Sequence, residues 1–76
     1  MTQPETGLEM ARRHVAEGEA RCARQREILA EMVADNHPHT AEVAKQVLTT
    51  LESTLALMRD HLRQAEEQHG RGDASA

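Results

Sequence analysis

Asp35-Asn36-His37-Pro38-His39-Thr40 is the break that decides how this chain folds. On either side, from about Glu5 to Asp35 and from about Pro38 to Gln68, good helix formers fill most positions, with Gly7 at the outer end, one interior glycine, Gly18, and no interior proline. Within the break, Asn36 tolerates the left-handed conformation that closes a helix, and Pro38 suits the first turn of the next. Thr40 is a competing N-cap. The expected fold is all-α: two long helices joined by a turn over 36–39 and running antiparallel as a hairpin.

The outer ends are less sharply marked. Thr2-Gln3-Pro4-Glu5 and Thr6-Gly7-Leu8-Glu9 both fit the pattern in which a hydroxyl caps a backbone N–H and a glutamate three residues later returns the bond, so the first helix has two candidate starts. Gly70 and Gly72 are expected to end the second helix. The domain reading is an N-terminal arm and cap over 1–5, the hairpin over 6–69 and a disordered tail over 70–76.

Heptad spacing says how the helices meet. In the first, the a and d positions are Leu8, Ala11, Val15, Gly18, Cys22, Gln25, Leu29 and Met32. In the second they are Ala41, Ala44, Leu48, Leu51, Leu55, Met58, Leu62 and Ala65. A turn centred between Asn36 and His37 sets Leu8 against Ala65, Ala11 against Leu62, Val15 against Met58, Gly18 against Leu55 and Cys22 against Leu51. Large residues face small ones in most layers, which lets an antiparallel pair approach closely. Gly18 in particular is costly in a helix, by about 1 kcal/mol relative to Ala, and a close approach beneath Leu55 is the benefit that offsets it. Gln25 is expected to fix register through a polar contact. Along one flank, Arg12 should approach Glu66, Glu19 should approach Arg59, and Arg26 should approach Glu52.

The second helix carries a further stripe that this seam does not use: Val43, Val47, Thr50, Thr54, Leu57 and His61, with Ile28 of the first helix beside Val47. An exposed strip of this kind points to a partner surface. A lone hairpin has a marginal core, and no disulfide reinforces it, because Cys22 is the only cysteine. The expected assembly is a homodimer that closes a two-fold four-helix bundle; an unknown protein partner is the alternative occupant.

Composition removes several function classes. The chain has 76 residues, 13 Asp and Glu against 9 Lys and Arg for a formal net charge of -4, and no aromatic residue. General nucleic-acid binding is disfavoured on an acidic surface. The sequence holds no long apolar run and no signal-like start at Met1, so membrane insertion is not expected and a cytoplasmic location is the default. No nucleophile–base pair or phosphate-binding loop appears, so the chain is not expected to be an enzyme, and no cofactor is implied.

Residues capable of chemistry are few. His14 and His61 fall at nearly the same level of the hairpin, and a dimer would gather four imidazoles; zinc would need three or four ligands, to which Glu17 or Asp60 could add. As polar residues flanking a bundle edge, the two histidines also need no metal. Glu66-Glu67-Gln68-His69 has the Glu-x-x-His spacing of di-metal bundles but no second copy in the chain. His37 and His39 flank the turn as solvated residues. Cys22, on the seam, behaves as a small hydrophobe. Arg12, Arg13, Arg21, Arg24 and Arg26 make a local positive excess that could meet an anionic partner, although their spread around the helix reads as a salt-bridged, solvated surface. Arg71-Gly72-Asp73 spells an integrin-binding tripeptide, for which a cytoplasmic chain has no use.

The segments His14-Val15-Ala16-Glu17-Gly18-Glu19, Arg24-Gln25-Arg26-Glu27 and Thr50-Leu51-Glu52-Ser53-Thr54-Leu55 resemble a group of small uncharacterised bacterial helical-hairpin proteins, over about His14 to Leu62. Their turn usually carries Gly-His where this chain has Asn36-His37. The resemblance implies a bacterial cytoplasmic hairpin and transfers no catalytic residue.

The expected function is a non-enzymatic helical-hairpin interaction module that self-associates and binds or regulates another macromolecule. Two alternatives stand beside it: a metal- or pH-responsive bundle using His14 and His61, and a small nucleic-acid-binding regulator acting through the arginine-rich first helix.

Overall fold

Thr6 starts the first helix of the computed structural model, which describes residues 4–75, with the side chains of 4–70. Its hydroxyl accepts from the Glu9 backbone N–H at 3.1 Å and donates to Glu9 Oε1 at 3.0 Å. The glutamate therefore returns the bond to the hydroxyl, where the usual capping box returns it to the backbone. Helix α1 spans Gly7–Ala34. The competing cap, Thr2, lies outside the described residues.

Asn36 closes α1. It takes φ of 59°, the sole non-glycine positive φ among the described residues. Its N–H donates to Val33 O at 3.1 Å, and the His37 N–H donates to Met32 O at 2.9 Å. These two bonds form a Schellman motif with asparagine at the left-handed position. Pro38 then opens α2, where its missing N–H costs nothing, and the His37 carbonyl accepts the first helical bond, from Ala41. His39 and Thr40 lie inside α2, so the turn is shorter than 36–39 and Thr40 is not a cap.

Helix α2 spans Pro38–Ser75, past the expected end near Gln68 and through residues 70–75 of the expected tail; Ala76 lies outside the described residues. A glycine stops a helix by moving to positive φ, and no glycine among the described residues does so. Gly70 instead weakens the helix without breaking it.

The two helices pack along the expected seam. Every heptad a and d residue is buried or half-buried, and the other described residues that are not exposed are His14, Glu17 and Ile28. Val15, Cys22 and Leu55 form the centre, with Leu48, Leu51, Met58 and Leu62 packed against it. Cys22 is fully buried. A Cβ on Gly18 would stand 3.0 Å from Leu55 Cδ1 and 3.1 Å from Met58 Sδ, so the glycine permits the close approach. Gln25 Nε2 donates to the Ala44 carbonyl at 2.9 Å, the polar contact expected at that seam position.

The result is a slab of 59 × 28 × 13 Å with a radius of gyration of 17.3 Å, where a globular chain of this length has about 11 Å. Among the described residues, no helix is long and apolar enough to cross a membrane.

Candidate functional site

The two flanks of the seam differ in chemistry. On one, heptad e residues pair across the helices: Arg26 with Glu52 at 3.2 Å, and Arg59 with Glu19 at 3.5 Å. The third expected pair, Arg12 with Glu66, is not formed among the described residues. Each exposed pair contributes about 0 to 1 kcal/mol, so their effect is to hold register and to keep this flank polar.

The opposite flank is open. It carries the heptad g residues His14, Arg21 and Ile28 of α1 beside Val47, Thr54 and His61 of α2, and the α2 stripe extends it outward. Val43, Val47 and Leu57 are 47%, 43% and 60% exposed, while Ile28 is half-buried. Thr50 donates its hydroxyl to Gln46 O at 3.2 Å, and Thr54 donates to Thr50 O at 3.0 Å. Both hydroxyls are thereby satisfied within their own helix. Val43, Gln46, Val47, Thr50 and Leu51 shape a shallow groove of about 260 Å³, and Leu57 projects two to three turns further along.

At the end of the hairpin away from the turn lies a second groove, of about 360 Å³. Met10, Ala11 and His14 form its α1 side; Met58, His61 and Ala65 form its α2 side. His14 and His61 therefore line one groove, at the nearly equal levels their heptad positions give them. Among the described residues, no group of three or more His, Cys, Asp or Glu is placed to hold a metal ion, so neither Glu17 nor Asp60 completes a zinc set with them. Glu66 and His69 likewise belong to no such group. Heptad reading assigns Met58 to the seam and leaves Met10 unassigned; the signal that marks them as groove residues is their spacing, Met10 four before His14 and Met58 three before His61.

The arginines of α1 are largely engaged. Arg13 grips Glu5 through two nitrogens, at 2.9 and 3.0 Å, and Glu17 through the third at 2.9 Å. This hydrogen bonding holds the Glu5 carboxyl below its ordinary value and pushes Arg13 up. Arg24 pairs with Glu27 at 3.1 Å, and Arg26 with Glu52. Arg12 and Arg21 remain outside these ion pairs, so the five arginines do not form one uncompensated patch. The side chains of Arg71 and Asp73 lie outside the described residues.

No known protein family matches the chain, and neither does any curated protein or solved structure.

Proposed function

We propose that this chain is a non-enzymatic interaction module that pairs with a second copy of itself through the open flank and α2 stripe, giving a four-helix bundle whose outer surfaces bind and regulate another macromolecule. The observation that carries this reading is the unpaired line of Val43, Val47 and Leu57, on a hairpin whose other flank is closed by ion pairs.

A second copy fits this face because the stripe is complementary to itself. A two-fold interface requires that the feature offered by one chain meet its complement on the same surface of the other. Here the shallow groove at Val43, Val47 and Thr50 and the projecting Leu57 lie on one line. A two-fold axis crossing α2 near Glu52 would set Leu57 against Val47, Thr50 against Thr54 and Val43 against His61. The threonines enter such an interface without leaving an unsatisfied donor, since their hydroxyls already bond within the helix. The need is also present: Val15, Cys22, Ala44 and Leu55 are the only hydrophobic residues counted as buried among the described residues, a thin core for two helices of this length.

Size-exclusion chromatography with light scattering tests the reading, with refractive-index detection because the chain has no Trp or Tyr. A mass near twice 8.5 kDa is expected, falling to a single chain in Val47→Glu/Leu57→Glu. A monomeric wild type, or a dimer indifferent to the double change, overturns it.

A further inference from the structure

The groove at the open end of the hairpin gathers a donor set that the histidines alone do not describe. Met10 and His14 are one turn apart on α1, Met58 and His61 nearly one turn apart on α2, and all four line the same space. Residues at these spacings share a helix face, so each helix lines the groove with one methionine and one histidine. Gly7, Ala11 and Ala65 complete the wall, and no carboxylate lines it.

The geometry points to a soft-metal site that takes Cu(I) through the Met10 and Met58 sulfurs and the His14 and His61 imidazoles of a single hairpin. The ligand types select the ion. Thioethers are neutral, polarizable donors that suit Cu(I) and are poor ligands for zinc, magnesium or calcium, while imidazole serves copper well. Zinc at this place would find two suitable ligands where it needs three or four. Cu(I) finds four, and a singly charged ion is also less costly than a dication beside an apolar wall with no anionic ligand. Met58 has the freedom to serve both roles. Its sulfur packs beside Gly18, 3.1 Å from where a Cβ would stand, and its three rotatable bonds can carry that sulfur into the groove. The site lies within one chain and does not depend on self-association.

The chain supplies its own controls: Met32 does not line the groove, Met1 lies outside the described residues, and Cys22 is the competing thiol. The experiment titrates Ag(I), a redox-inert stand-in for Cu(I), into the Cys22→Ala protein labelled at the methionine methyls, and repeats the titration with Cu(I) without oxygen. Saturation by a single ion is expected, with shifts of the Met10 and Met58 methyls and of the His14 and His61 rings, and none at Met32. Met10→Leu preserves apolar volume at an exposed position and should weaken binding about tenfold or more. Binding confined to Met1, binding abolished by Cys22→Ala, equal affinity in Met10→Leu, or an equal response to Zn(II) would each overturn the assignment.

Discussion

Gln25 on α1 donates its side-chain amide to the backbone carbonyl of Ala44 on α2, at 2.9 Å across a seam that is otherwise apolar or small. The bond ties a particular side chain to a particular turn of the opposite helix, which van der Waals packing among leucines does less strictly. Because the Ala44 carbonyl also sits in the helical ladder, removing the amide leaves no orphaned acceptor. Gln25→Leu should therefore raise the melting temperature, while the amide signals of α2 broaden as neighbouring registers become populated. A sharp spectrum with unchanged dispersion would show that the seam sets register without this bond.

Gly18 lies beneath Leu55 and Met58, and a methyl group at Gly18 must displace Leu55 Cδ1 or Met58 Sδ. Alanine gains about 1 kcal/mol of helix propensity there. Overpacking against a leucine that is 4% exposed costs about 1 to 3 kcal/mol, so the net expectation for Gly18→Ala is a loss of about 1 kcal/mol. The loss should shrink in a Leu55→Val background, which removes the obstructing carbon; thermal melts of the four proteins in the cycle would read the coupling. Strict additivity would show that Leu55 is not what resists a methyl group at Gly18.

The seam was legible because its period is strict and its large and small residues alternate, so heptad counting alone places Val15, Cys22 and Leu55 at the centre. Asn36 and Pro38 were legible for a local reason, each having a backbone preference that only one position in the turn can use. The helical continuation through Gly70 was not, since a glycine near a helix end reads as a stop unless its φ is known. Met10 and Met58 were missed as a pair because one belongs to the seam and the other to its flank, and only the crossing of the two helices brings them into one groove.

Asn36 holds the left-handed conformation at φ 59°, where a Cβ is strained unless the side chain compensates. Asn36→Gly is expected to be neutral or slightly stabilising. Asn36→Ala should lower stability by about 1 kcal/mol, read by chemical denaturation at constant m-value. Equal stabilities would mean that the turn relaxes to another geometry.

Arg13 holds Glu5 against the start of α1, and the hydrogen bonds keep that carboxyl below its ordinary value of 4.5. A lowered folded value means that the stabilisation is fully present above 4.5 and is lost as pH falls through the lower value. Carbon-detected titration of the Glu5 carboxyl should show a depressed midpoint that returns towards ordinary in Arg13→Gln. Identical midpoints in the two proteins would remove the clamp.

Orientation of the paired hairpins can be read by disulfide trapping in a Cys22→Ala background. Chains carrying Val47→Cys mixed with chains carrying Leu57→Cys should cross-link to each other far more than either does to itself. Self-linking of Val47→Cys would point to a parallel arrangement.

The slab is 13 Å thick, close to the width of one α-helix, so its two broad surfaces are both within a side chain's length of the central seam. Whatever settles on a broad surface, another copy or a different molecule, converts boundary into interior and adds its binding free energy to that of folding. For this chain the denaturation midpoint is consequently an occupancy gauge: it should climb with the concentration of any true ligand and stay level for a bystander.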